Sequence, residues 1–82
     1  MPAYRVLLFA TLRDLAGQKE VFVSLPPEAT VADLRRALAE QFSSLQMYLP
    51  TAVVAANHAF TTEETVLHPH DEIAVFPPVS GG

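Results

Sequence analysis

The sequence of 82 residues contains no cysteine and no tryptophan, and it has only three glycines. Without cysteine the chain has no disulfide, no thiolate metal site, no iron–sulfur ligation and no cysteine nucleophile. If this protein handles sulfur, that sulfur cannot be carried on a side-chain thiol.

Positive charge is also scarce, because five basic residues stand against nine acidic ones and the net charge is −4. Only Arg35 and Arg36 are adjacent, which is too little positive charge to hold a phosphate backbone, so we expect no nucleic-acid partner.

No apolar run approaches the roughly 20 residues of a membrane span, so we expect no membrane partner. The N-terminal segment 1–5 lacks the features of a signal peptide, which predicts a cytoplasmic protein.

The length indicates one domain with one modest core, which typically keeps only about 5 kcal/mol of net stability. A cavity of roughly 300 Å³ or more would hollow out such a core. We therefore expect the chemistry to lie at the surface, at a chain end or in a partner.

The hydrophobic pattern predicts four strands at residues 4–10, 20–25, 53–56 and 72–76. The main helix begins after Thr30, a good N-cap with Asp33 three residues later, and ends near Ser43-Ser44. Residues 11–19 fit a helical turn or a hairpin loop, residues 59–67 a short strand and a loop, and residues 68–71 a turn.

This order of elements predicts an α+β fold of the β-grasp (ubiquitin-like) type. Its mixed sheet has four to five strands, and one main helix packs across one face. Residues 1–76 form the domain, and residues 77–82 form an extended tail that ends in Gly-Gly.

Side-chain alternation adds a candidate surface. Leu7 and Phe9 fall on the outer face of the first strand, and Ala74 and Phe76 on the outer face of the last. If these strands are neighbours, Phe9 and Phe76 form an exposed apolar patch, which usually marks a partner surface. The alternative, in which the rings lie under loops, stays open because one sequence does not fix the register.

The usual catalytic sets are missing. There is no glycine-rich phosphate loop, and the acidic pairs Glu63-Glu64 and Asp71-Glu72 fit a solvated surface. His68 and His70 would need His58 from another loop to hold a metal, so we expect none. The domain is therefore expected to have no active site of its own.

The C-terminal residues carry the most specific signal. Two terminal glycines alone are a weak signal, because a chain ends in Gly-Gly by chance about once in two hundred cases. The context strengthens it: Pro77 and Pro78 stiffen the exit from the last strand, and Gly81 and Gly82, which have no Cβ, can enter a narrow channel. The tail comprises Pro77, Pro78, Val79, Ser80, Gly81 and Gly82. Another enzyme could activate the Gly82 carboxylate with ATP as an acyl-adenylate, which sulfur would convert to a nucleophilic thiocarboxylate. The alternative is a tail without function.

Four segments carry a resemblance to a known family. They are VLLFATLRDLAG (6–17), LPPEATVADLRRAL (25–38), VVAAN (53–57) and DEIAVFPPVSGG (71–82), of which the terminal PPVSGG is the most specific. The sequence resembles the small subunits of molybdopterin synthase, the MoaD-type ubiquitin-like sulfur carriers.

The resemblance implies that an ATP-dependent E1-like activating enzyme adenylates Gly82, which becomes a thiocarboxylate. The tail then enters the large subunit of molybdopterin synthase and donates sulfur to cyclic pyranopterin monophosphate in molybdenum cofactor biosynthesis. In that family the complex is a heterotetramer whose catalytic residues belong to the large subunit. The small subunit binds no cofactor stably, since the activating partner uses the ATP.

The resemblance also assigns partner contacts to Phe9, Arg13, Phe60 and Phe76. One departure is His70, which stands where the family usually has a glycine before the last strand. Two other functions with the same terminal chemistry remain open: a sulfur carrier for thiamine or tRNA thiolation, and a ubiquitin-like protein modifier. A passive interaction module would need no Gly-Gly end at all.

Overall fold

The computed structural model describes residues 2–78. It contains five strands and two α-helices, with two short 3₁₀ turns at Ser43–Leu45 and Leu49–Thr51. In chain order the elements are β1 (Ala3–Leu8), α1 (Ala10–Ala16), β2 (Glu20–Ser24), α2 (Val31–Gln41), β3 (Val53–Ala56), β4 (Ala59–Phe60) and β5 (Ile73–Phe76). No helix in this part of the chain has the length and apolar character needed to cross a membrane.

The strands form one mixed sheet in the order β2-β1-β5-β3-β4. β1 and β5 are parallel at its centre, whereas the other neighbouring pairs are antiparallel. Parallel neighbours need a crossover, and the chain between β2 and β3 supplies it through α2. This confirms the predicted α+β arrangement of a mixed sheet with one main helix.

Helix α2 begins where the sequence predicts because Thr30 and Asp33 cap it reciprocally. The backbone N–H of Asp33 donates to Thr30 Oγ1 at 3.3 Å, and the N–H of Thr30 donates to Asp33 Oδ2 at 3.0 Å. These bonds to Thr30 are the main reason that the pKa of Asp33 lies below its ordinary value. The capping box satisfies two amide donors that the helix end would otherwise leave unpaired.

The core lies between α2 and the inner face of the sheet. The alternation predicted for β1 and β5 is confirmed, since Val6 and Leu8 are buried opposite Ile73 and Val75. The fully buried core side chains also include Tyr4, Leu12, Leu34, Leu38, Leu45, Leu49 and Leu67. On the opposite face, Leu7, Ala74 and Phe76 are partly exposed, whereas Ala55 is buried.

The first strand is shorter than predicted, because β1 ends at Leu8 and not at Ala10. Phe9 is the N-cap of α1, and Ala10 takes a φ of 52° at the start of that helix. Positive φ turns the chain out of the strand, and for a residue with a Cβ it is uncommon. Gly17 closes α1 with a φ of 76°, so the helical-turn alternative for residues 11–19 is correct.

Arg35, one of the two adjacent basic residues, stabilises the fold. Its side chain is only 18% exposed, forms an ion pair with Glu63 and donates to the carbonyl oxygens of Leu49 and Ala52. These bonds tie α2 to the loops on both sides of β3 and β4.

The turn at residues 68–71 is built without a glycine. The N–H of His68 donates to Asp71 Oδ2 at 2.8 Å, and the N–H of Asp71 donates to the His68 carbonyl at 2.9 Å. His70 is not among the residues with positive φ, so it has no left-handed strain. The turn therefore has a backbone conformation that does not need a glycine at this position. Asn57, in the turn after β3, supports it by donating from Nδ2 to Asp71 Oδ1 at 3.0 Å.

Candidate functional site: the surface at the base of the tail

Phe9 and Phe76 lie against each other where the two central strands end. Their ring centroids are 4.6 Å apart and the ring planes differ by 16°, which is a stacked pair. Phe9 is 37% exposed and Phe76 is half-buried. Of the two alternatives, the structure therefore shows the rings together on the surface and not covered by loops.

The sheet register explains this contact. Leu7 is paired with Ala74 and Leu8 with Val75 in the parallel ladder, so the next step places Phe9 beside Phe76. The Phe9 N–H donates to the Val75 carbonyl at 3.3 Å, which holds the first ring even though β1 has ended. Both rings lie on the outer face because side chains alternate along each strand.

A shallow apolar groove of about 420 Å³ adjoins this pair. It is lined by Ala10, Val53, Phe60, Phe76 and Pro77. Phe60, from the edge strand β4, is 84% exposed, so a large apolar side chain stands at the rim. We call Phe9, Phe60, Phe76 and Pro77 the tail-base surface.

The side-chain alternation predicted Phe9 and Phe76 on one face, and the family resemblance added Phe60, but neither indicated Ala10 or Val53. Val53 was detectable, because it is the antiparallel partner of Phe76 and therefore shares its face. Ala10 was assigned to the inner face of a longer strand, and only its positive φ turns it outward into the groove.

Arg13 lies at the same end of the sheet, on helix α1. It follows Phe9 by four residues and therefore lies one helical turn further along the same helix face. Its side chain is 53% exposed, with Nε 3.7 Å from Asp14 Oδ1. Arg13 lines a separate depression of about 450 Å³ together with Asp14, Gly17, Gln18 and Lys19, and it does not line the apolar groove.

Pro77 and Pro78 follow β5 directly, and Pro77 contributes to the groove while Pro78 is exposed. Val79, Ser80, Gly81 and Gly82 lie outside the described residues. Their predicted roles, the domain boundary at residue 76 and the reactive carboxylate of Gly82 therefore stay predictions. The described residues do show that the tail starts beside an exposed apolar surface.

The histidines lie beside the turn at residues 68–71, which leads into β5. His68 and His70 stack with centroids 5.7 Å apart, while His58 Nε2 lies 2.7 Å from Glu72 Oε2. Within residues 2–78, no three histidine, aspartate or glutamate side chains converge in a way that could hold a metal ion.

The fold and the exposed apolar surface beside the tail define a ubiquitin-like β-grasp protein. The chain belongs to the ThiS family, whose model matches residues 6–82. It is 35% identical over 78 residues to the molybdopterin synthase sulfur carrier subunit of Arabidopsis thaliana, covering 95% of this chain and 81% of that protein.

Solved structures share this fold over nearly the whole chain. The crystal structure of small archaeal modifier protein 1 from H. volcanii superposes with a TM-score of 0.85 at 28% identity, covering 96% of this chain and all of that one. A chain in the complex of subunits 1 and 2 of the molybdopterin-converting factor from Helicobacter pylori gives a TM-score of 0.66 at 23% identity. That match covers 98% of this chain and 99% of that one.

Proposed function

We propose that this protein is a sulfur carrier of the molybdopterin synthase type. Its C-terminal Gly82 is adenylated, converted to a thiocarboxylate, and donates sulfur to cyclic pyranopterin monophosphate in molybdenum cofactor biosynthesis. The observation that carries this proposal is the tail-base surface, an exposed apolar surface at the start of a tail that ends in Gly-Gly. Membership of the ThiS family and the similarity to a sulfur carrier subunit support it.

The chemistry at Gly82 follows from the low reactivity of a carboxylate. An ATP-dependent E1-like enzyme transfers AMP to the carboxylate and releases pyrophosphate, which makes the carbonyl carbon electrophilic. A sulfur nucleophile then displaces AMP and leaves the thiocarboxylate. The sulfur is anionic and nucleophilic near neutral pH, as a thiolate is, and it needs no cysteine in the carrier.

The partner in the last step is the large subunit of molybdopterin synthase, which receives the tail and supplies the catalytic residues. Phe9, Phe60 and Phe76 suit docking, because aromatic side chains at the centre of an interface contribute most of the binding energy. Docking at the base of the tail would aim the terminal residues into the partner. Pro77 and Pro78 would reduce the conformational entropy that the tail loses on insertion.

The setting of this reaction is the cytoplasm. The carrier holds no cofactor stably, and ATP is the substrate of its activating enzyme. Arg13, beside the tail-base surface, would add a charged contact to the same partner face.

Two tail variants test the proposal. Removing Gly82, or adding one alanine after it, should abolish sulfur transfer because the reactive carbonyl no longer sits at the required distance from the domain. A chain with one alanine added at its N-terminus is the matched control, since Ala3 lies at the opposite end of β1 from the tail. Circular dichroism should show the same fold in all three. Normal synthase activity in either tail variant would refute the proposal.

A ubiquitin-like protein modifier is the second candidate, favoured by the similarity to small archaeal modifier protein 1. In that function the activated Gly82 forms an amide with a lysine of a target protein. Incubation with ATP, an activating enzyme and a sulfur source distinguishes the two. A mass gain of one sulfur-for-oxygen exchange identifies the carrier, whereas adducts at target lysines identify the modifier.

A sulfur carrier for thiamine or tRNA thiolation would have the same thiocarboxylate but a different sulfur acceptor. Replacing cyclic pyranopterin monophosphate by the acceptor of either pathway in the transfer assay tests these two functions.

A further inference from the structure

Strand β2 forms one edge of the sheet, and its register with β1 shows which of its backbone groups face outward. The Leu8 N–H donates to the Lys19 carbonyl at 2.9 Å, so these two residues are a hydrogen-bonded pair. Such pairs alternate with non-bonded pairs along an antiparallel ladder. The residues of β2 that point their N–H and C=O groups away from the sheet are therefore Glu20, Phe22 and Ser24.

This edge lacks the features that usually prevent an edge strand from pairing with another chain, such as a proline, a bulge or an inward-facing charge. Residues 20–24 contain no proline, and their register with β1 is continuous. The inward-facing side chains, Val21 and Val23, are buried and apolar. The other edge strand, β4, has two residues and offers little backbone for pairing. Among the described strands, β2 is therefore the one long open edge.

Gln41, the last residue of α2, is the one side chain within residues 2–78 that bonds to this edge. Its Nε2 donates to the Phe22 carbonyl at 3.2 Å, and the bond is exposed. The Phe22 carbonyl is therefore accessible to an N–H donor from outside the sheet. A strand that pairs with β2 would replace this side-chain donor with a backbone N–H.

The two faces beside the edge differ in chemistry. On the outer face, the Phe22 side chain is 57% exposed, so an apolar or β-branched side chain of an added strand would pack against its ring. On the inner face, a groove of about 240 Å³ lies between the end of β2 and α2. The groove is lined by Leu25, Pro26, Asp33, Arg36, Ala37 and Glu40.

The charges of this groove favour a basic side chain. Arg36 Nη1 lies 3.2 Å from Asp33 Oδ1, so these two charges compensate each other. Glu40 is exposed and has no ion pair among the described residues. The groove therefore has one uncompensated negative charge, in a protein whose net charge is −4. A cationic side chain complements it.

We propose that the open edge of β2 binds an extended peptide segment of another protein, which adds to the sheet as a sixth strand about 4.8 Å from β2. Successive side chains of this segment point to opposite faces, so an apolar residue packs against Phe22 and its basic neighbours point towards Glu40. Main-chain bonds to Glu20, Phe22 and Ser24 hold the segment in register. A second copy of the chain fits less well, because each copy carries a net charge of −4.

This surface is separate from the tail-base surface, because β1 lies between β2 and the strand that carries Phe76. Binding at β2 involves neither Gly82 nor an activating enzyme. It goes beyond the proposed function, and either one can fail while the other stands.

The direct test uses the blocked peptide acetyl-Thr-Lys-Val-Lys-Thr-amide and the full chain labelled with ¹⁵N. With the valine opposite Phe22, both lysines of the peptide point to the inner face. The peptide should slow hydrogen exchange at the amides of Glu20, Phe22 and Ser24, with a Kd of about 1 mM or lower. The same peptide with an N-methyl valine cannot donate to the Phe22 carbonyl, and its affinity should fall by more than about tenfold.

Two charge reversals test the role of Glu40. Glu40→Lys should weaken binding of the lysine peptide by about tenfold and favour a peptide with glutamate in place of both lysines. The fold should be retained, since a lysine in the last turn of α2 complements the helix dipole. Glu64→Lys is the matched control, because it changes the net charge equally and Glu64 is exposed in the loop after β4, at the opposite edge. It should bind the lysine peptide as the wild type does.

Unchanged exchange at the three outward amides, equal affinity of the N-methyl peptide, or an equal loss in Glu40→Lys and Glu64→Lys would each overturn the inference. Self-association through β2 when the chain is concentrated without peptide would also overturn it, because the occupant of the edge would then be a second copy.

Discussion

Phe9 stacks on Phe76 although one residue caps a helix and the other ends a strand. The contact exists because β1 and β5 are parallel neighbours and end at the same level of the sheet. An aromatic pair of this kind contributes about 0.5 to 1.5 kcal/mol to stability in addition to the free energy of burying its apolar surface. A folded domain can lose that amount without unfolding. The exposure of the pair is better explained by binding than by stability.

Phe76→Asp should therefore weaken binding to the large subunit of molybdopterin synthase without unfolding the domain. Loss of a central aromatic contact costs about 2 kcal/mol or more, which corresponds to roughly 30-fold in Kd. Isothermal titration calorimetry measures the affinity, and circular dichroism checks the fold.

Met47→Asp is the matched control for this variant, since Met47 is 87% exposed and lies in the loop between the two 3₁₀ turns. It should bind as the wild type does. Equal affinities for all three proteins, or an equal loss in both variants, would show that the tail-base surface is not the docking site.

The turn between β3 and β4 offers a stability test. Asn57 and His58 both have positive φ, at 52° and 68°, and such two-residue turns favour Asn-Gly. His58→Gly should raise the free energy of unfolding by about 0.5 to 1 kcal/mol, because glycine removes the left-handed strain. The lost hydrogen bond with Glu72 joins two exposed side chains and contributes little.

His70→Gly is the corresponding control, at the position where the family resemblance predicts a glycine. His70 has no positive φ, so the substitution should lower the stability by a few tenths of a kcal/mol to about 1 kcal/mol through greater chain entropy. Urea titrations of both variants measure the two changes. A gain in His70→Gly, or a loss in His58→Gly, would contradict the backbone geometry described for these turns.

Asp71 predicts a specific pH dependence. Burial raises the pKa of its carboxyl, but the hydrogen bonds from Asn57 and the His68 amide, with the charges of His68 and His70, outweigh burial and lower it below the ordinary 3.8. Because the folded pKa is the lower one, its stabilisation is present above about pH 4 and is lost as the pH falls through the folded value.

Asp71→Asn should accordingly cost about 1 to 2 kcal/mol near neutral pH, since it removes a charged acceptor of two hydrogen bonds. The difference between the variant and the wild type should shrink towards pH 2. Asp33 also has a lowered pKa, but it titrates in both proteins and cancels in the comparison. A difference that stays constant from pH 7 to acid would show that the charge of Asp71 is not what stabilises the turn.

The sequence was most informative where one local signal decided the structure. Thr30 and Asp33 form the predicted cap, and the alternation of Val6 and Leu8 fixes which face of β1 is buried. Once that face is assigned, the outward position of Phe76 follows from the same rule on β5. The outward positions of Phe9 and Phe76 were therefore accessible from the pattern, whereas their contact depends on the pairing of β1 with β5. Phe60 was assigned to the surface by the family resemblance and not by the pattern.

Features that depend on unusual backbone angles were not accessible. Ala10 was assigned to a strand because alanine gives no sign of positive φ, so the early end of β1 was missed. The turn predicted at residues 68–71 is present, but its hydrogen bond from Asn57, 14 residues away in sequence, was not predicted. The short strand predicted within residues 59–67 is present as β4, where pairing with β3 determines its bounds.

The central claim concerns the carbonyl group of Gly82, and the mass of the C-terminal peptide tests it most directly. After incubation with ATP, the activating enzyme and a sulfur source, this peptide should gain the mass difference of one sulfur replacing one oxygen. The gain should disappear after incubation with the large subunit and cyclic pyranopterin monophosphate. A peptide that keeps the mass of the free acid throughout, while the activating enzyme modifies a known carrier in the same mixture, would contradict the account.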